Sequence, residues 1–357
     1  MHNRISGIMR VKNDGQFIER CIESCIDALD ELIVVHNDCT DNSVAEIDKM
    51  VARYPEKIKR YEYPYQIYGM NISKEEFDKA RQFPENSPYL FSTYSNFALS
   101  KVTSEYALLI DSDQIYFAEY LKKWCDFVRE CRPLKMTIKT VIGKLFSKYI
   151  SGYWLLCLKS DRVVPVLPVW LLKLFYSSYI SYAKYLFSHD KASLGMSGVN
   201  VLEADTDLIS MGHSLSDFKS LPPFNGCGDH LIFKMSHNPQ FKRFIMPEYN
   251  PPYTKRYSVV EAFHLPLKIM YVGYFWKHVS VMRPNLFEKA MELYTFDEKA
   301  YLSISAFKKL AYGNILKQAS GCIFPLCQQI LFQFVYKANK TQLFNSLEQI
   351  VRSEKRS

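Results

Sequence analysis

Between Arg4 and Ile110 the chain alternates short apolar runs with stretches of helical period, and that alternation restricts the fold more than any other feature. Arg4 to Met9 reads as a strand, and Asn13-Asp14-Gly15 supplies turn and capping chemistry behind it. Phe17, Ile18, Cys21, Ile22, Cys25, Ile26 and Leu29 recur at three- and four-residue intervals, which predicts a helix with one face buried on a sheet. Leu32-Ile33-Val34-Val35 is a wholly apolar strand, and the polar loop 36–43 follows it, in which Asn42 or Ser43 can cap a helix from Val44 to Arg53. Ile58 to Tyr63 predicts a third strand, Pro88 to Val102 a third helix and Tyr106 to Ile110 a fourth strand. A β-α-β-α-β-α-β series implies an α/β chain with a parallel, doubly wound sheet and right-handed crossovers. Ligands of such sheets sit beyond the carboxyl ends of the strands, where loops 36–43 and 111–114 both emerge.

The fourth strand closes on Asp111-Ser112-Asp113. Side chains alternate faces along a strand, but past its end the backbone turns, and two carboxylates can then converge on one hard cation with oxygen ligands. A cation held there would neutralise a leaving diphosphate. An acidic pair in a loop is more often a solvated turn or a cap, so the weight of the motif comes from the sheet that precedes it.

Three stretches carry a family resemblance. Ile8-Met9-Arg10-Val11-Lys12-Asn13-Asp14 with Phe17 to Ser24, then Val34-Val35-His36-Asn37-Asp38-Cys39-Thr40-Asp41-Asn42-Ser43, and then Ser95 to Ser100 followed by Leu109-Ile110-Asp111-Ser112-Asp113, resemble the opening of the family 2 glycosyltransferases of the GT-A fold. The resemblance covers residues 4 to about 120 and thins out to about 280. It implies a Rossmann-like nucleotide-diphospho-sugar transferase with Mn2+ or Mg2+ on Asp111 and Asp113, and a donor nucleotide lined by Asn37, Asp38, Asp41, Asn96 and Asp111. The family usually has an acidic pair after the second strand, and this chain has His36-Asn37 instead, so Asn37 or Asp38 would take the bond to uracil or ribose.

The resemblance also bears on Phe224-Asn225-Gly226-Cys227-Gly228-Asp229-His230. Its glycines permit a tight turn and place Asp229 ahead of an apolar segment, Leu231-Ile232-Phe233, expected to be helical. In inverting GT-A enzymes an acidic residue in this region is the general base toward the acceptor hydroxyl, and Asp229 is the matching position; the plainer role is a helix cap. Many GT-A enzymes also return a histidine to the metal, which points to His264, while a satisfied core histidine is the ordinary alternative. Lys268 and Arg256 are matching diphosphate partners. A second acidic pair, Asp205 and Asp207, ranks below Asp111 and Asp113 because no nucleotide-binding run precedes it.

Nine cysteines with no C-x-x-C pair indicate neither a zinc ribbon nor a disulfide framework, and the first strand follows Met1 too closely for a leader, so a reducing cytoplasm is expected. The net charge of +8 comes without a nucleic-acid recognition motif, so nucleic acid is not the expected partner. Residues 163–187 are apolar and aromatic but broken by Pro165, Pro168 and Lys173, which suits an interfacial position better than a membrane span. Packing against the core is the alternative. Ile323 to Tyr336 is apolar but short, and Lys317, Lys337, Lys340, Arg352, Lys355 and Arg356 flank it, which suggests attraction to an anionic bilayer.

The expectation is therefore a GT-A catalytic region over 1–285, comprising a nucleotide half 1–120, an aromatic insert 141–190 and an acceptor half 195–285, followed by a basic helical region 286–357. As a function it implies an inverting, metal-dependent hexosyltransferase on the cytoplasmic face of a bacterial membrane. The donor would be a UDP-sugar carrying galactose or glucose. The acceptor would be a saccharide, free or linked to undecaprenyl diphosphate, in lipopolysaccharide O-antigen, lipooligosaccharide or capsule synthesis. A retaining transferase, a phosphosugar or nucleotidyl transferase, and a non-enzymatic membrane scaffold are the alternatives.

Overall fold

A computed structural model of the chain describes residues 2–70, 72–160, 168–215, 218–226, 231–246, 257–310, 336 and 338–350. The walk begins with β1 (Ile5–Val11), α1 (Gly15–Cys25), β2 (Glu31–His36), α2 (Ser43–Arg53) and β3 (Ile58–Glu62). Next come α3 (Lys74–Ala80), α4 (Phe91–Ser100), β4 (Tyr106–Asp111), β5 (Gln114–Tyr116) and α5 (Ala118–Arg129). Two long helices follow, α6 (Ile138–Ser160) and α7 (Val169–Ser188), and then β6 (Ala192–Glu203), β7 (Asp207–Ser210), β8 (Ser214–Leu215), β9 (Phe218–Lys219) and β10 (Phe224–Asn225). The remainder holds β11 (Leu231–Lys234), β12 (Gln240–Ile245), β13 (Val259–His264), β14 (Lys268–His278), α8 (Pro284–Phe296), β15 (Tyr301–Ser303) and α9 (Ile304–Lys309). These elements form two units, one of residues 1–130 and 228–267 and the other of 131–227 and 268–357.

In the first unit the strand order is β11-β4-β1-β2-β3, with β1 to β4 mutually parallel and β11 antiparallel to β4. Strands covered on both faces have no polar side to show, which is why Leu32, Ile33, Val34 and Val35 are all buried. Helix α1 buries Phe17, Ile18, Cys21, Ile22 and Cys25, the stripe its spacing predicts. One expectation fails here: Leu231-Ile232-Phe233 is the strand β11, whose Ile232 pairs with Leu108 of β4. The open edge of β4 supplies ladder hydrogen bonds to a run too short to reveal a helical period, so tertiary pairing decides its state.

Helix α3 is an element the sequence reading does not contain. Its start is a capping box, with the Ser73 hydroxyl accepting from the Glu76 N–H and the Glu76 carboxylate accepting from the Ser73 N–H. Phe77 and Ala80 of α3 pack with Leu90 and Val259 in a small apolar cluster.

In the second unit, β6 is the central strand: β14 runs parallel to it, and β7 and β10 run antiparallel, with β15 outside β7. Helices α6 and α7 lie against each other, with Phe146 meeting Phe175 at 5.7 Å and Gly143 meeting Ser178. Residue numbers rise along one helix as they fall along the other, so the pair is an antiparallel hairpin. A Cβ on Gly143 would stand 2.0 Å from the Ser178 carbonyl oxygen, so only glycine permits this approach. Pro168 stands at the N-cap of α7, where a missing N–H costs nothing. Of the expected interfacial arm, residues 161–167 lie outside the described residues. So do most of the expected apolar helix 323–336 and the basic end 351–357. Among the described residues, no helix is long and apolar enough to cross a membrane.

Candidate active site

Strands β1, β2 and β4 end at one level, with Val11 opposite His36 and Arg10 opposite Asp111. Register partners of a parallel pair project from the same face, so Arg10 stands beside the first carboxylate of the acidic pair. The Arg10 guanidinium is fixed from its other side. Nη1 donates to Ser95 Oγ and Glu261 Oε1, and the group lies over the rings of Phe91 and Phe241, at 5.1 and 5.3 Å from their centroids. Burial pulls its pKa down, but Glu261 and then Asp111 outweigh burial and hold it above the ordinary value. Glu261 Oε2 is buried and has no hydrogen-bond partner among the described residues.

The acidic turn itself is tightly packed, with Ser112, Asp113 and Gln114 all buried. Ser112 Oγ donates to Asp14 Oδ2 at 2.6 Å, the Cys21 thiol donates to the Asp111 carbonyl at 3.4 Å, and the Tyr116 N–H donates to Ser24 Oγ at 2.9 Å. Tyr116 in turn donates its hydroxyl to Gln114 Oε1 at 2.7 Å. Burial first, then Cys25 and the carboxylates of Asp113 and Asp111, push the Cys21 thiol well up, so it stays a protonated donor. Two carboxylates, one ending a strand and one buried in the turn behind it, carry oxygen donors of the kind Mn2+ and Mg2+ accept. Among the described residues no three His, Cys, Asp or Glu side chains converge as a metal cage.

The expected nucleotide contacts of the loop after β2 differ in their surroundings. Asn37 is buried, and its Nδ2 donates to the carbonyls of Tyr63 and Tyr65 at 2.8 and 2.7 Å. That fixes the amide's orientation and leaves its buried Oδ1 with no partner among the described residues. His36 is also buried, and burial, then Arg60, lower its pKa, so the position where the family has acid carries a neutral ring. Asp38 is exposed, takes a positive φ of 45° and pairs with Lys12 at 3.3 Å.

Asp41 bonds backbone at the start of two helices, accepting from the Gly15 N–H at 3.0 Å and the Ser43 N–H at 2.9 Å. Burial raises its pKa, and those bonds outweigh it and bring the net shift below the ordinary carboxylate value. Asn42 stands at the N-cap of α2 as expected, but makes no side-chain cap bond, and the carboxylate on the Ser43 N–H is that of Asp41. Asn96 is engaged reciprocally with β12, donating to the Phe241 carbonyl at 2.8 Å and accepting from the Phe241 N–H at 2.9 Å.

Asp229 and Arg256 lie outside the described residues. His264 is exposed at the end of β13, opposite Gln240 of β12. Lys268 belongs to the second unit, where it donates to Ser147 Oγ of α6 at 2.8 Å and lies 5.8 Å from the Tyr182 ring; burial lowers its pKa. Asp207 pairs with the fully buried Lys277 at 3.3 Å, alongside Glu203 at 2.7 Å, so that member of the second acidic pair has a structural role, while Asp205 is exposed.

The pair that sequence reasoning misses is Arg10 with Glu261. Arg10 carries a visible signal, a charge near the end of a mostly apolar strand, but its partner is 251 residues away and only the fold joins them.

Residues 4–132 match the family described as beta-1,4-N-acetylgalactosaminyltransferase (CgtA). Among solved structures, the chain is similar to the mannosyltransferase PcManGT from Pyrobaculum calidifontis in complex with GDP-Man and Mn2+. Identity there is 16% over 42% of this chain and 39% of that one, with a TM-score of 0.26. It is also similar to glucosyl-3-phosphoglycerate synthase from Mycobacterium tuberculosis in complex with Mn2+ and UDP, at 19% identity over 32% of this chain and 34% of that one, with a TM-score of 0.19. A third similar structure is S. aureus TarS 1-349, at 13% identity over 94% of this chain and 72% of that one, with a TM-score of 0.32. The chain thus spans well under half the length of the first two. No curated protein matches it. The family match covers β1 to β4, the parallel strands of the first unit.

Proposed function

We propose that the protein transfers a sugar from a UDP-sugar to the hydroxyl of a saccharide, free or lipid-linked, in the building of a bacterial surface glycan. The observation that carries this is the placement of Asp111 and the buried Asp113 at the carboxyl edge of the parallel sheet, level with the end of β2. The unpartnered Oδ1 of Asn37 supports a uridine donor, because uracil presents an imide N–H that such an acceptor fits. The family description supports N-acetylgalactosamine as the first donor sugar to test, ahead of galactose and glucose.

Manganese or magnesium, when bound by Asp111 and Asp113, supplies Lewis-acid stabilisation of the departing diphosphate. The Arg10 guanidinium beside Asp111 offsets part of the negative charge that the carboxylates and the diphosphate bring together. Asp229 is the acceptor base in this reading, taking the hydroxyl proton as the glycosidic bond forms with inversion. A membrane surface is the proposed location, since it would present a lipid-linked acceptor.

The test is donor hydrolysis and transfer across UDP-, GDP- and CMP-sugars with manganese, repeated with Asp111→Ala and Asp113→Ala. Turnover with a UDP-sugar should disappear in both variants and in excess chelator while the fold survives. Full activity in both variants would overturn the assignment.

A further inference from the structure

Helix α6 buries one line of side chains and leaves a second, apolar line exposed. The line it turns toward the rest of its unit carries Thr140, Gly143 and Ser147 alongside Phe146 and Tyr153. The opposite line carries Ile138, 82% exposed, Leu145, 62%, and Leu156, 54%, with Val141 and Ile142 beside them. At about 100° per residue these side chains fall on one stripe of the helix. Lys139 and Lys144 fall on either side of it, and Lys148 lies along its margin, all three exposed. On α7, Trp170 and Leu174 are likewise exposed, at 66% and 61%. An exposed apolar patch of this extent, rimmed by charge, marks an interaction surface.

The charge identifies the partner. Residues 131–189 contain nine Lys or Arg and a single Asp, so this one stretch holds the whole chain's excess of +8 and the rest of the chain is balanced. A second copy would bring the same positive rim and be repelled. A nucleic acid would use the lysines and leave the apolar stripe wet. A bilayer bearing anionic lipid satisfies both at once, because the stripe can enter the acyl boundary while the lysines reach headgroup phosphates.

We infer that the outer stripe of α6, with its flanking lysines, is the surface by which the protein docks on an anionic membrane. This rests on the membrane location in the proposed function and names the surface responsible. It moves the main anchor from the segment 163–187 to the first four turns of α6.

The experiment is co-sedimentation of the full chain with phosphatidylcholine vesicles, with and without phosphatidylglycerol, at low and high salt. The intact chain should bind the phosphatidylglycerol vesicles and loosen, without full release, as salt rises. Ile138→Ser with Leu145→Ser should weaken binding at least tenfold. Lys139→Gln, Lys144→Gln and Lys148→Gln should each weaken it roughly fivefold at low salt only. All are exposed positions, and circular dichroism checks that the variants fold. Absence of binding by the intact chain, or binding unchanged in the α6 variants, overturns the inference. Hydrolysis of UDP-sugars in detergent-free solution should be the same in the α6 variants as in the parent, so failure of the enzymatic reading and failure of the docking surface are read by separate assays.

Discussion

Removing one member of the Arg10–Glu261 pair should cost far more than a surface ion pair would. Their side chains are 17% and 11% exposed, so solvent screens the pair little. Arg10→Met keeps a long apolar stem between Phe91 and Phe241 but strips Glu261 of the donor to Oε1, and Oε2 already lacks a partner. A buried carboxylate left unpaired costs about 3–5 kcal/mol, and the lost contact of the cation with two rings adds about 1 kcal/mol. Glu261→Gln keeps the shape and an acceptor for Arg10, so its cost should be about 1–2 kcal/mol. Arg10→Met combined with Glu261→Leu replaces both charges by apolar groups and should be less destabilising than Arg10→Met alone, because the orphaned carboxylate is gone. The assay is equilibrium urea unfolding of the parent, both single variants Arg10→Met and Glu261→Leu, and the double variant. The cycle should return a coupling of about 2–3 kcal/mol. A loss below about 1 kcal/mol for Arg10→Met, or strictly additive losses in the double variant, would show that the pair is not the clamp described above.

Two further predictions concern single carboxylates. Glu31 is buried, and although burial raises its pKa, Lys59 at 2.6 Å, Ser6 and the Thr103 N–H at 3.0 Å outweigh it and lower the value to about 2. A depressed carboxylate stabilises the fold above its unfolded value of 4.5, and that contribution is lost as pH falls toward 2. Glu31→Gln should therefore cost about 2–3 kcal/mol at neutral pH and flatten the acid limb of a stability profile between those limits; an unchanged acid limb refutes the assignment. Asp229→Asn should lower turnover by orders of magnitude while leaving donor binding within a few-fold, since only a transition-state proton acceptor is lost. Unchanged turnover would demote Asp229 and favour a retaining mechanism, which the anomeric configuration of the product would then settle.

The parallel sheet is legible in the sequence because its strands are covered on both faces and read as unbroken apolar runs, and Asp111 is legible because it ends such a run. Elements decided by partners rather than by pattern are not. Leu231 to Phe233 has no period that separates strand from helix until the edge of β4 is in view. Helix α6 escapes because its apolar residues lie on both faces, some buried like Phe146 and some exposed like Leu145, so no single apolar stripe marks it. The Ser73 and Glu76 signature of α3 was readable, three residues apart, but it precedes no apolar run long enough to draw attention. Asp41 and Asn96 match nucleotide-lining positions, and the backbone bonds that both make in the fold are not legible in the motif.

The grip of α1 on the acidic turn has a thermodynamic consequence. Cys21 and Ser24, on successive turns of one helix, hold the Asp111 carbonyl and the Tyr116 N–H, and Ser112 is tied to Asp14 at the start of the same helix. The conformational entropy of the turn is therefore surrendered when the protein folds, not when a cation arrives. A site prepared in this way loses little freedom on ligation, so calorimetry of Mn2+ binding should show a small entropic penalty. Shortening Cys21 to alanine, which removes one of these three ties without touching either carboxylate, should enlarge that penalty.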